Sequence, residues 1–250
     1  MTELLRTESL RKRFGELIAV DEVSLSFQEG ILTSIIGPNG AGKTTLINLL
    51  TGSLPSDSGK ILFRGEDITR LPTEKRVRRG ISRSFQIMNI FPRLTVFQNV
   101  LLPVLSRLNK CMKSFSRIKN HRDAIAEVES ILEDVGLWEK KGLPSGQLSH
   151  GDQRLLEMGI AVAVGPELCF LDEPSSGMNP LERVKVLELI KKMATGGKTT
   201  FVVVEHDMDV VFSLSDWIIV MSLGKMLAEG TPAEIRENRR VREIYLGEEL

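Results

Sequence analysis

Gly37-Pro38-Asn39-Gly40-Ala41-Gly42-Lys43-Thr44 fits the pattern G-x-x-x-x-G-K-[ST], and its surroundings decide how the rest of the chain is read. A short, mostly apolar run, Ile31 to Ile36, leads into it and predicts a strand that ends at Gly37. Thr44 to Leu50 comes next with Leu46, Leu49 and Leu50 on one side, which predicts a helix. The glycines let the backbone curl so that its N–H groups point at phosphate oxygens. The helix N-terminus adds positive potential at the same place. Lys43 can then reach the β- and γ-phosphates of a nucleotide, and Thr44 can ligate Mg2+. A glycine-rich turn with no ligand would not call for Lys43 and Thr44 together between a strand and a helix.

Outward from this loop, Val23 to Phe27 alternates apolar and polar residues and predicts a half-buried strand, broken at Gly30. Gly52 and the cluster Pro55 to Gly59 form a turn before a short strand, Lys60 to Phe63. From about Phe91 to Val164 helical spacing takes over, as in Ile125, Val128, Ile131, Leu132 and Val135, with Gly136 placed to stop that helix. After Pro166, strands return at Leu168 to Leu171, Thr200 to Val204 and Trp217 to Met221. Strands apolar on both faces and alternating with helices indicate an α/β fold with a largely parallel sheet. A helical block is thus expected inside an α/β domain, with a charged helical tail from Ala233 to Leu250.

The composition is that of a globular protein. In 250 residues, 42% are apolar and 26% charged, enough to bury a sizeable core. Basic and acidic residues number 33 each, which argues against a globally basic nucleic-acid binder. The two cysteines, Cys111 and Cys169, rule out a disulfide framework and fit a reducing compartment. Cys169 reads as a small core residue. No apolar run approaches the roughly 18–20 residues that span a bilayer, and Met1 to Leu10 does not read as a secretory signal. Charge is unevenly placed. From Lys75 to Arg122 there are 12 Lys or Arg and no acid, which suggests a face made for an anionic partner.

A second element of chemistry stands at Cys169-Phe170-Leu171-Asp172-Glu173, an apolar strand ending in two acids. Asp172 falls where a second Mg2+ holder belongs, at the carboxyl end of a central strand. Glu173 can polarise an attacking water. Apolar-then-acidic endings are common, so the pair gains its meaning from the phosphate loop.

Leu148-Ser149-His150-Gly151-Asp152-Gln153 opens a helix about 20 residues before Glu173. Here the chain resembles the ATP-binding cassette (ABC) family, whose signature is Leu-Ser-Gly-Gly-Gln, and the resemblance runs along nearly the whole chain. Phe14 matches the aromatic residue that stacks on adenine. Gln86, after Phe85, matches the loop glutamine that contacts Mg2+ and the attacking water. Pro174 to Asn179 matches the loop that meets the opposite subunit, and His206, after Glu205, matches the switch histidine at the γ-phosphate. Alone, Phe14 or His206 would read as structural; six motifs in order make the likeness specific. Among cassettes, Gly151 to Arg154, Gly177 to Pro180 and the ending Tyr245-Leu246-Gly247 resemble the ATPase subunits of branched-chain amino-acid importers. The departures are His150 for the signature's first glycine, where Tyr is commoner in that group, Asp152 for its glutamine, and Asn179 where many members carry Asp.

The resemblance implies a P-loop NTPase of ABC ATPase type: a mixed-sheet core with an antiparallel β part (1–88 with 165–232), an inserted helical subdomain (89–164) and the tail (233–250). It implies an Mg-dependent ATPase with ATP and Mg2+ as cofactors. Nucleotide contacts fall to Phe14, to Gly37, Pro38, Asn39, Gly40, Ala41, Gly42, Lys43, Thr44 and Thr45, and to Ser149 and Gly151 of a facing subunit. Thr44, Gln86 and Asp172 would hold the metal. Glu173, His206, Gln86 and Lys43 would act on the γ-phosphate and water. The implied partners are integral membrane transporter subunits, a second cassette ATPase and, indirectly, a solute-binding protein, at the cytoplasmic face of the membrane, with no nucleic acid. The alternatives are a lipid or lipopolysaccharide exporter ATPase and a nucleic-acid-linked cassette; the latter usually carries two cassettes or long inserted arms.

Overall fold

The computed structural model describes residues 2–83, 90–108, 122–196 and 198–246. Two sheets and a set of helices share three apolar clusters. The first sheet is antiparallel. β1 (Glu3–Phe14) is its spine and pairs with β2 (Leu17–Val23), β3 (Ser26–Gln28) and β5 (Ser58–Phe63), and β5 pairs in turn with β6 (Glu66–Asp67). The second sheet has the order β11-β10-β4-β9-β8-β7. It comprises β11 (Lys225–Gly230), β10 (Trp217–Ser222), β4 (Thr33–Ile36), β9 (Thr200–Val204), β8 (Leu168–Asp172) and β7 (Ile81–Arg83). All its neighbours pair parallel except β10 and β11, so the largely parallel sheet is as expected, with one antiparallel edge.

The alternating run from Val23 to Phe27 is not one strand. Val23 ends β2, and Phe27 lies in β3. β1 has register shifts along its length, and Ser9 and Glu22 take left-handed φ of 45° and 52°. These irregularities bend the ribbon, so that β1 hands its pairing from one partner to the other. The Thr7 hydroxyl spans the join by donating to Val23 O (3.0 Å) and accepting from Leu25 N (3.1 Å).

Every residue of β4, β8 and β9 is buried, as strands covered on both faces require, the polar Thr33, Ser34, Asp172 and Thr200 included. One face lies against the antiparallel sheet and α1 (Lys43–Thr51), with Phe27 and Phe170 meeting edge to face, centroids 5.9 Å apart. The other face shares an apolar cluster with the helical block. That block comprises α3 (Val96–Arg107), begun by a Thr95–Gln98 capping box, α4 (Arg122–Asp134) and α5 (His150–Ala163). Val100, Val104, Val128, Leu132 and Leu156 are its buried centre. Gly136 comes just after α4 with φ 69°, a stop of the kind its position predicts. α6 (Pro180–Thr195) flanks the same cluster through Val186 and Ile190. The tail does not stand apart. α8 (Pro232–Glu237) and α9 (Arg239–Leu246) come after α7 (Met208–Leu214), and Ile235 and Val241 join Val211, Ile218 and Val220 in the third cluster.

Among the described residues, the acid-free segment 75–122 does not form one basic face. Arg76, in α2 (Thr73–Arg78), is 2% exposed and donates to the carbonyls of Leu49, Leu50, Thr69 and Leu71. It closes the C-terminal end of α1, where carbonyls lack helical partners, and burial pushes its pKa down to about 10. Arg79 pairs with Glu66, Arg83 with Asp172 and Arg107 with Glu127. Lys110, Lys113, Arg117, Lys119 and Cys111 lie outside the described residues. Cys169 is fully buried in β8, and burial pushes its thiol up to about 12, so it is inert.

Candidate nucleotide-binding and hydrolysis site

In the second sheet β9 lies between β4 and β8, with Ile35 opposite Val204 and Val204 opposite Asp172. The carboxyl ends of three adjacent strands therefore finish level, and the groups just beyond them are brought together: the glycine loop after β4, Asp172 and Glu173 at the end of β8, and His206 after β9. Open parallel sheets place ligands at this edge.

The loop 37–42 ends at Gly42, whose φ is 97°. A Cβ there would stand 2.2 Å from Ala19 O, so only glycine lets the loop lie against β2. Gly42 also begins α1 without a side-chain cap, leaving the first amide groups of the helix unsatisfied by any capping side chain. Lys43 is buried and folds back over the loop, its Nζ donating to Gly37 O (2.6 Å) and Pro38 O (3.0 Å). Burial lowers the Lys43 pKa, against the pull of Glu173 and Asp172. A cleft of about 330 Å3 opens over the loop and is lined by Asn39, Gly40, Ala41, Gly42, Lys43, Thr44 and Thr45. Glu173 and His206 line it as well, and Phe14, Leu17, Ile18 and Ala19 form an apolar wall. Phe14, 49% exposed at the end of β1, offers a ring to the cleft.

Glu173 takes a left-handed φ of 48°, a conformation uncommon outside glycine. Its backbone N donates to Val204 O (2.9 Å), which ties the ends of β8 and β9 together. Its Oε1 lies 2.6 Å from His206 Nε2. Asp172 is 1% exposed, and its Oδ2 accepts from Arg83 Nη2 at 2.6 Å. Arg83 is a site residue that reads in the sequence only as surface charge; no spacing signal distinguishes it. Gln86 lies outside the described residues.

A divalent cation suits this donor set. Thr44, Asp172 and Glu173 offer oxygen, the chemistry that hard cations take. Among the described residues no group of three or more His, Cys, Asp or Glu side chains could hold a metal ion alone.

Ser149 and Gly151 do not join this cleft. They line a separate recess of about 600 Å3 with Asp152, Met178 and Glu182. Ser149 caps α5, and its hydroxyl donates to Asp152 Oδ2 (2.8 Å), while Lys140 Nζ donates to the same oxygen (2.5 Å). Burial raises the Asp152 pKa, but the Lys140 and Ser149 hydrogen bonds outweigh it and hold the carboxyl below its usual range. The substituted glutamine position thus holds a fixed carboxylate behind Ser149. His150 faces the loop after Glu173, near Gly177. Asn179 caps α6, accepting from Leu181 N (3.1 Å) and Glu182 N (3.0 Å), a task Asn performs as well as Asp.

Asp207, beside His206, caps α7 and pairs with Arg183. Burial raises its pKa, but the Val210 amide and the Arg183 guanidinium prevail and hold it below its usual value. Because the folded-state value is depressed, the stabilisation is complete above the unfolded value, about pH 4, and is lost as pH falls through the folded one. Asp207→Asn keeps the cap and loses the charge. The drop in melting temperature between pH 7 and pH 3 is expected to be smaller in that variant, by scanning calorimetry; an equal drop would remove Asp207 from the acid response.

Residues 20–176 match the family model described as ABC transporter, and residues 225–250 match the model for the branched-chain amino acid ATP-binding cassette transporter. The chain belongs to the ABC transporter family, as an ATP-binding cassette ATPase. It is 39% identical over 250 residues to the high-affinity branched-chain amino acid transport ATP-binding protein BraF of Pseudomonas aeruginosa, and 38% identical to LivG of Escherichia coli, a protein of the same description. In both cases 98% of each chain is covered. Among solved structures it resembles a nucleotide-free cassette from an ABC transporter at TM-score 0.84 and 34% identity, covering 98% of this chain and 100% of that one. A dimeric cassette in a post-hydrolysis state, bound to ADP and Pi, matches at TM-score 0.77 and 25% identity, covering 92% and 99%.

Proposed function

We propose that this chain is the ATP-hydrolysing subunit of an importer for branched-chain or related amino acids, working as one of two facing cassettes beneath the membrane subunits on the cytoplasmic side. The observation that carries the substrate class is the end-to-end likeness to proteins of that description, extended by the match at 225–250. No helix among the described residues is long and apolar enough to cross a membrane, so on this reading attachment to the bilayer runs through other subunits. A cleft of about 170 Å3 between α2 and α5, lined largely by apolar atoms and including Val77, Ile160 and Val164, offers such subunits a seat.

In the mechanism, the adenine stacks on Phe14 and the phosphates lie in the loop from Gly37 to Thr45, at the N-terminal end of α1. Lys43 leaves its own carbonyls for the β- and γ-phosphates. Mg2+, bound with the nucleotide through Thr44, Asp172 and Gln86, would neutralise charge on those phosphates. Glu173 takes a proton from the attacking water, and His206, 2.6 Å away, holds that carboxylate and reaches the γ-phosphate. Ser149, Gly151 and the amide groups of α5 complete the site from the facing subunit, which accounts for their distance from the cleft of their own chain. Binding of ATP closes the pair of cassettes and hydrolysis reopens it.

The test is a mild-detergent purification of the tagged chain from its native membranes, with co-purifying proteins identified by mass spectrometry. Two polytopic membrane proteins and a second small cassette ATPase are the expected result. Recovery of ribosomes or nucleic-acid factors, with nothing membrane-bound, would sink the importer reading and leave the ATP chemistry standing.

A further inference from the structure

Glu205 is a buried carboxylate with no part in the mechanism so far. It comes directly after β9, precedes His206 and is 4% exposed. Its Oε1 accepts from the Ser175 backbone N (3.2 Å) and from the Ser175 hydroxyl (2.7 Å), and its Oε2 accepts from the His206 backbone N (3.3 Å). Ser175 is itself buried, two residues beyond Glu173 in the loop that runs to Asn179. The contacts close a circuit. Glu173 connects to Ser175 along the chain, Ser175 to Glu205 by hydrogen bonds, Glu205 to His206 along the chain, and His206 back to Glu173 at 2.6 Å.

Carboxylates are rarely left out of water without strong compensation, and here every one of these partners is a donor. A glutamine in the same place would turn an NH2 group towards one of them. The circuit therefore selects a carboxylate specifically. It also joins the two segments that leave β8 and β9, each of which carries one half of the Glu173–His206 pair.

We propose that Glu205 is a positioning residue for ATP hydrolysis: it holds His206 against Glu173 and transmits the position of the loop 174–179 to that pair. The proposal rests on the nucleotide-binding reading of the cleft. Movement of the loop against a facing subunit then changes the geometry around the attacking water without any contact between Glu205 and ATP.

The experiment compares wild type, E205Q and S175A in the assembly with which the chain co-purifies. It measures ATP hydrolysis, ATP affinity by calorimetry and backbone amide hydrogen exchange by mass spectrometry. In E205Q, kcat is expected to fall about ten- to a hundredfold with ATP affinity unchanged, as misplacement of reacting groups costs rate without binding. Exchange in the peptides carrying Ser175 and His206 should rise together by about tenfold while β10 and β11 keep their protection. S175A should move both readouts in the same direction but less, and the double variant should fall no further than E205Q.

Unchanged kcat in both variants would overturn the proposal. So would exchange that rises evenly across the sheet with activity lost in proportion, the mark of a merely structural role. If E205Q does not fold, S175A carries the test, and wild-type kcat and exchange in it would overturn the link. A wild-type assembly that binds no ATP would instead sink the nucleotide reading, a failure visible before any variant is made.

Discussion

Glu173→Gln is expected to stop ATP turnover and leave ATP binding intact. The substitution keeps the size and hydrogen-bonding reach of the side chain, so the contact with His206 Nε2 survives in form. It removes the one function a carboxylate has there that an amide lacks, which is taking a proton from water. Loss of a positioned general base costs about 10²–10⁴-fold in rate, or roughly 3–5 kcal/mol of barrier. Affinity should hold because Asn39 to Thr45 contribute most of the cleft lining. A variant that binds ATP and cannot hydrolyse it should accumulate as a nucleotide-bound pair of cassettes, read by size-exclusion chromatography with ATP present. Hydrolysis near the wild-type rate would remove Glu173 from the mechanism.

Lys43→Ala should act one step earlier, on binding. The side chain is 6% exposed, and its Nζ is held by two loop carbonyls, at 2.6 and 3.0 Å, where a phosphate would compete for it. A hydrogen bond to a charged group is worth about 1.5–3 kcal/mol, so losing even one to the phosphates lowers affinity by roughly 10- to 150-fold. The variant also loses the clamp that shapes the loop before nucleotide arrives, which acts in the same direction. Calorimetric titration with ATP separates the cases, since an unchanged dissociation constant would count against the cradle. Together the two variants divide the site into a part that binds and a part that reacts.

Both predictions start from residues that can be found in the sequence, because their chemistry is local. A phosphate loop is a run of eight neighbouring residues, and β8 and β9 announce themselves by apolar residues on both faces. The parts that are not legible depend on pairing between distant segments. β1 carries no clean alternation because its register shifts move successive side chains off the pattern. Arg76 and Arg83 look like surface charge in a basic stretch, yet one is walled in by four carbonyls and the other pairs with Asp172 across the sheet. Glu205 stands beside His206 in the sequence without any sign of its hydrogen bonds to Ser175, 30 residues away. A carboxylate's partners depend on the fold, and only the motif residues point to theirs in advance.

β9 is covered on both faces and contributes no residue to the lining of the cleft. It nonetheless sets the span between the loop after β4 and the acids of β8, since it occupies the one place in the sheet between β4 and β8. Two strand spacings of about 4.8 Å each make a ruler of roughly 10 Å, and its graduations are Val202, Val203 and Val204. In a genetic screen, lesions at these valines would be sorted with core defects by position, yet their first symptom would be slow turnover with nucleotide still bound. For this protein, distance from the ligand is a poor guide to which alleles silence it.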